Sequence, residues 1–466
     1  MKKHALIVFL FPIMVASAQP SAPCVNKTVY AFQQFSDGCT NKYQSINWSL
    51  LTHFAFCSVA FDANGNITPN GGCNDPSTAL VNLAHSKGVK VVILIWSPGN
   101  TAIVDGVLAS STKRQTLANS IKNYIQQFNL DGVNIDFENI PATNSVDAQP
   151  NKSKVVSFSQ VLQTTLKAAN PAYHIAWSTP YTKECQFIRP VWDFTAMTPY
   201  VDAFTVMSYD YIAGNTGWTG SHQPFAGGPM YGSAYGSSAN KKQFNFQNTV
   251  TEYLAAGVPA SKIVMGEGFY GIEWTNLSSG APAANGASGG TRLNYNVIAA
   301  KAVSKGKQWF NTEKTHYYSY QSGNWVQGFF DSDSTLGVKL DHINSQNLGG
   351  LMIWALHFDS GRVELWNKVQ QKFCSATSVP EADQQDLFSV SPNPSTGLFN
   401  IMITDPFASY VAEVYDLTGK RVYRKDLHSS DIRLDLSDQK RGMYILELHE
   451  ISETGNTVKR QKLLVE

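Results

Sequence analysis

The run Asp131-Gly132-Val133-Asn134-Ile135-Asp136-Phe137-Glu138 sets three polar side chains at alternate positions, and two of them are carboxyls. Alternation of this kind belongs to a β-strand, whose i and i+2 side chains share a face about 6.5–7 Å apart. Val133, Ile135 and Phe137 would form an apolar face, and Asn134, Asp136 and Glu138 a polar one. Burying the polar face costs free energy unless its groups are paired or put to use. Burial and a neighbouring Asp136 charge would both raise the Glu138 carboxyl, so that it keeps a proton near neutral pH and can act as a general acid. The competing reading is a solvent-facing edge strand in which the same three groups are merely hydrated.

Eight short apolar runs fit strands, at 29–35, 53–59, 89–95, 132–138, 174–178, 203–209, 262–266 and 350–354. Helical spacing lies between several of them. Val155, Phe158, Leu162 and Leu166 keep it, as do Phe246, Val250 and Tyr253, with a stop at Gly257-Val258-Pro259. Eight strands separated by helices predict an α/β fold, a (β/α)8 TIM barrel, with a doubly wound sheet as the rival. In a barrel, Glu138 falls at the carboxyl end of its strand, where barrel active sites sit.

With its neighbours, the 131–138 run resembles the DGxDxDxE signature of glycoside hydrolase family 18, the chitinase family. LTHFAF at 51–56, Met207-Ser208-Tyr209-Asp210, KIVMGEGFYG at 262–271 and GGLMIW at 349–354 are similar to that family's second, sixth, seventh and eighth strands. The resemblance spans about residues 30–372. It implies a retaining, substrate-assisted reaction, a known exception to the two-carboxylate scheme of most glycosidases. Glu138 would protonate the glycosidic oxygen, and the substrate's own 2-acetamido group would supply the nucleophile, giving an oxazolinium ion. Asp136 would orient the acetamido N–H. Tyr209 and Asp210 would hold that group, and Trp354 would lie under the sugar. Met207, Phe56 and Asn134 complete the expected substrate-binding set. No metal or cofactor is required. A small α+β insertion at about 275–340, between strands seven and eight, would wall one side of the cleft, with Tyr317, Tyr318, Tyr320, Trp325, Phe329 and Phe330 in its core or facing sugar.

Two departures stand out. Asn134 replaces the first aspartate of DxDxE, and Ile95-Trp96-Ser97-Pro98-Gly99 replaces the strand-three S-x-G-G, leaving Trp96 as either cleft lining or core. The expected substrate is therefore chitin or a related N-acetylglucosamine glycan. An N-acetylglucosaminidase acting on peptidoglycan or N-linked glycans and a catalytically silent chitin-binding lectin stay as alternatives.

The whole chain agrees with an exported enzyme. Lys2 and Lys3, an apolar run at 5–15 and Ala16-Ser17-Ala18 predict a signal peptide at 1–18. The apolar run is too short for a stable membrane span. The 466 residues carry a net charge of +1, which gives no electrostatic case for nucleic acid. Aromatic side chains, 12% of residues, suit sugar faces. Six cysteines permit disulfides after export, and Cys24 and Cys374 flank the barrel expected at 24–374. Gly266-Glu267-Gly268-Phe269-Tyr270-Gly271 matches GxGxxG, but no helix pattern begins within it, so no nucleotide site is expected. A polar linker at 375–386 leads to residues 387–466, which hold 21 charged side chains and short alternating runs of a β-sandwich. FSVSPNPSTGLFN at 388–400, VYDLTG at 414–419 and GMYIL at 442–446 resemble the C-terminal sorting domain of type IX secretion substrates. That resemblance implies type IX secretion machinery as a partner and an extracellular or cell-surface destination.

Overall fold

In the computed structural model, residues 23–34, 40–69, 75–97, 99–138, 140, 149–181, 191–211, 219–228, 230–231, 242–282, 290–374, 388–403, 409–427, 431–451 and 457–466 are described. The segments expected as signal peptide and linker lie outside these residues, as do Cys39, Cys73 and Cys185. The chain divides into two compact units, Met1–Ser375 and Ala376–Glu466.

In the first unit eight strands run parallel: β1 (Thr28–Phe32), β2 (His53–Phe61), β3 (Lys90–Trp96), β4 (Gly132–Asp136), β5 (His174–Pro180), β6 (Ala203–Met207), β7 (Ile263–Gly268) and β8 (Gly350–Trp354). Each pairs with the next and β8 pairs with β1, so the sheet closes into a barrel. The alternation seen in the sequence sorts the two faces. Val133, Ile135 and Phe137 join the layer between barrel and helices, with Phe158, Leu162 and Leu166 of the helix Gln149–Ala169. Tyr30, Phe32, Ala55, Leu94, Ala176 and Met352 fill the interior. Strands β4 and β8 both begin on glycine, and a Cβ there would lie 2.1 Å from the His174 oxygen or 1.9 Å from the Thr28 oxygen. The tight lateral fit of these two strands therefore depends on Gly132 and Gly350.

After β7 the chain leaves the barrel for a five-stranded antiparallel sheet between Tyr270 and Phe330, backed by the helix Tyr295–Lys305. Tyr317, Tyr318, Phe329 and Phe330 are buried there, and none of the four lines the cavity described below. A disulfide joins Cys24 to Cys374, 350 positions apart. In the second unit, sheets of three and four antiparallel strands enclose Phe399, Ile401, Val414, Leu434, Leu446 and Leu463.

Candidate active site

The strands expected to reach Glu138 and Tyr209 end earlier, at Asp136 and Met207. Glu138, Tyr209 and Asp210 consequently sit on the short segments that leave the barrel at its C-terminal mouth. They meet over a cavity of about 790 Å³ whose walls include Asp136, Glu138, Met207, Tyr209, Asp210 and Trp354. Parallel register sets their heights. Asp136 lies level with Trp96 of β3, Met207 with Pro180 of β5, and Trp354 with Gly268 of β7. Asp210 takes a φ of 55°, a left-handed conformation that aspartate tolerates better than most residues.

Two of the expected residues lie elsewhere. Phe56 is fully buried in the layer between barrel and helices. Along β2 it shares Phe54's outward parity, while Ala55 and Cys57 point inward, so it does not reach the cavity. Asn134 does point inward, but one side-chain layer below the cavity lining. Its amide nitrogen donates to Thr205 Oγ1 (2.9 Å) and its carbonyl accepts from Ser178 Oγ (2.8 Å). Both ends of the amide are thus taken up by hydroxyls of β5 and β6, and Asn134 supports the floor rather than the substrate.

The carboxyls above it are electrostatically unlike one another. Asp136 is buried, its Oδ1 has no hydrogen-bond partner, and burial followed by the Glu138 charge pushes its carboxyl well above the usual range. Glu138 opens onto the cavity. Its carboxyl is also pushed up, by burial first and then by the charge of Asp210 rather than the Asp136 charge expected from sequence. Asp210 goes the other way. Burial opposes its charge, yet His222 and Arg292 hold its carboxyl down to about 2. Arg292 grips it with a two-pronged fork, Nε to Oδ1 at 3.2 Å and Nη2 to Oδ2 at 2.8 Å. The arrangement sets two carboxyls of raised proton affinity beside one whose proton affinity is lowered, as an acid–base site requires.

Sequence reasoning missed part of the wall. Tyr270, Arg292 and Asn294 come from the sheet inserted after β7, Phe358 follows β8, and Trp96 proves to line the cavity. Arg292 stands 82 positions from the aspartate it grips, so local spacing carried no sign of the pair. Among the described residues, Glu413, Glu447 and His449 of the second unit could face a common cation. Arg421 already occupies Glu413 at 2.6 Å, which marks that cluster as an ion-pair network.

Comparison with known proteins agrees with this fold. Residues 26–359 match the pattern of Glycosyl hydrolases family 18, and residues 389–466 that of a secretion system C-terminal sorting domain. The chain is 23% identical to Chitotriosidase-1 of Mus musculus over 384 residues, covering 77% of this chain and 80% of that protein. It is 25% identical to Chitinase A1 of Niallia circulans over 367 residues, covering 72% of this chain but only half of that protein. Among solved structures, the Group IV chitinase of Ostrinia furnacalis superposes with a TM-score of 0.64 at 19% identity, covering 75% of this chain and all of that one. A family 18 N-acetylglucosaminidase from Paenibacillus barengoltzii gives 0.60 at 17% identity, with coverage of 75% and 100%.

Proposed function

The chain belongs to family 18 of the glycosyl hydrolases and is a glycoside hydrolase, and from that premise we propose that it is an exported chitinase, cleaving β-1,4-linked N-acetylglucosamine polymers with retention at the anomeric carbon. One observation supports the reading: Asp136, on the wall of the same cavity as Glu138, has a buried Oδ1 without a hydrogen-bond partner, and burial and the Asp210 charge raise the proton affinity of Glu138. Turned towards the cavity, that carboxyl would find an N–H donor in the 2-acetamido group of the substrate. Glu138 protonates the glycosidic oxygen as the bond to the anomeric carbon breaks. The acetamido carbonyl oxygen attacks the same carbon from the other face, forming the oxazolinium ion, while Asp136 accepts the N–H. Tyr209 and Asp210 hold the acetamido group, and Met207 and Trp354 form the apolar floor. Water, deprotonated by the Glu138 carboxylate, then opens the ring and restores the starting configuration. The sorting domain and the basic–apolar start of the chain support delivery by the type IX machinery to the cell surface or beyond.

The test is release of soluble chito-oligosaccharides from colloidal chitin by the full chain, with Glu138→Gln alongside. Release by the wild type and none by the variant is the expected result. A folded protein that spares chitin but cuts peptidoglycan or an N-linked glycan would overturn the substrate, and one that binds chitin without cutting any of these would overturn the enzyme.

A further inference from the structure

Below the cavity, one row of polar side chains crosses three strands. Asn134 of β4, Ser178 of β5 and Thr205 of β6 point into the barrel, and none is more than 4% exposed. Along each strand the next inward position lines the cavity: Asp136 after Asn134, Pro180 after Ser178 and Met207 after Thr205. Ser178 reaches the cavity wall itself. Register sets Ser178 opposite Thr205 and Pro180 opposite Met207.

Counting protons closes the three into a ring. The single hydroxyl proton of Ser178 goes to Asn134 Oδ1 at 2.8 Å. At the 3.4 Å contact between Ser178 Oγ and Thr205 Oγ1, the proton must therefore come from Thr205. Thr205 Oγ1 in turn accepts from the Asn134 amide nitrogen at 2.9 Å. Each group gives one bond within the ring and takes one, all in the same rotational sense, so each bond polarises the next. The ring is neutral and brings no buried charge into the floor. An aspartate at 134 could only accept. Thr205 would have to turn its proton to that carboxylate, and Ser178 would lose its donor.

The other contacts of these strand ends are less directional. The outward side chains Val133, Ile135, Ile175, Trp177, Phe204 and Val206 pack in the apolar layer under the helices, and apolar burial does not dictate height along a strand. The backbone ladder between β4 and β5 has its last rung at Ile135 and Trp177, short of Asp136. We propose that Ser178 and Thr205 are positioning residues, closing with Asn134 a hydrogen-bonded ring that locks the mouth ends of β4, β5 and β6 together and so sets where Asp136 and Met207 stand in the cavity. The effect on turnover rests on the hydrolase reading, whereas the ring itself does not.

Two measurements on the full chain test this. Steady-state kinetics on 4-nitrophenyl β-chitobioside at pH 7 compare wild type with Thr205→Val, which removes the hydroxyl at similar volume, and Thr205→Ser, which keeps it. Thr205→Val should lower kcat about tenfold and leave KM within about twofold, while Thr205→Ser stays within about threefold of wild type. Equal losses in both variants, an unchanged kcat in Thr205→Val, or a change confined to KM overturns the proposal. Asn134→Asp keeps the question open to test if Thr205→Val does not fold: its kcat should fall by a similar factor, and an Asn134→Asp enzyme as active as wild type overturns the proposal. The second measurement needs no turnover. Proton NMR of the wild type should show slowly exchanging hydroxyl protons for Ser178 and Thr205, assigned by their loss in Ser178→Ala and Thr205→Ser variants, with cross-relaxation between the two and from the Asn134 amide to the Thr205 hydroxyl. Hydroxyl protons in rapid exchange with water overturn the ring. A wild type without turnover would count against the hydrolase reading and leave the NMR experiment to decide the ring.

Discussion

The first unit gathers carboxyls in two places and treats them in opposite ways. Behind β7, Glu267 and Asp331 close on the ammonium of Lys339, all three side chains out of water. Burial works against the Lys339 charge, but the two carboxyls outweigh it and raise its proton affinity, while burial pushes Glu267 well above the usual carboxyl range. The shared cation and the raised proton affinity of Glu267 thus make two buried carboxyls tolerable. At the mouth, Asp136 and Glu138 have no ion pair among the described residues, and both carboxyls are pushed up. The first cluster is saturated by its own neighbours. In the second, Asp136 Oδ1 is left without a hydrogen-bond partner. The lesson is that burial alone does not mark a reactive carboxyl. What marks it is burial that the fold leaves uncompensated.

Substitutions should separate the two clusters cleanly. Glu138→Gln should cut kcat by about 10²–10⁴-fold, the scale of a lost general acid, while the melting temperature holds or rises. A variant with more than a tenth of wild-type kcat would mean that the acid lies elsewhere. Lys339→Met should do the reverse. Stranding two buried carboxyls should lower the unfolding free energy by about 3–5 kcal/mol in urea titrations, and the folded fraction should keep kcat within a fewfold. A stability loss no larger than that of a surface substitution would remove the contrast between the clusters.

A subtler contrast concerns pH. A carboxyl whose native pKa is raised binds its proton more tightly in the folded chain than in the unfolded one. Its burden on stability is therefore absent below the unfolded value and grows as pH rises towards the native one. Asp136→Asn should lift that burden. Thermal melts should show a gain of about 1 kcal/mol at pH 7 that fades near pH 4, together with a loss of turnover. Equal gains at both pH values would point to packing rather than charge. Asp210, held down to about 2, should contribute the opposite slope, a stabilisation full near pH 7 and lost progressively as pH falls below about 5.

Much of this was legible in the sequence, because barrel strands follow a period of two and their β-branched runs are short and well separated. Each of the eight expected runs overlaps an observed strand, and Asp136, Glu138, Met207, Tyr209, Asp210 and Trp354 do meet at one cavity. Phe56 was expected in the site from the resemblance of 51–56 to the family's second strand. Parity along β2 already assigned it to the face of Phe54, and aromatic character says nothing of direction. Asn134 had the right direction but the wrong depth, one i, i+2 step (about 6.5–7 Å) below Asp136. His222 and Arg292 were invisible because they act on Asp210 through tertiary folding, from the segment after β6 and from the inserted sheet. No local pattern encodes a partner brought in from so far along the chain.

The bond between Cys24 and Cys374 makes the intervening polypeptide, barrel and inserted sheet together, a covalent ring. A ring must be cut twice before a piece can leave. A protease that nicks one exposed loop of this ring would therefore leave a molecule of unchanged mass on a gel without reductant, and two fragments once reductant is added. In surroundings rich in proteases, the link converts a first cleavage from loss of a segment into an internal nick across which the barrel can stay assembled.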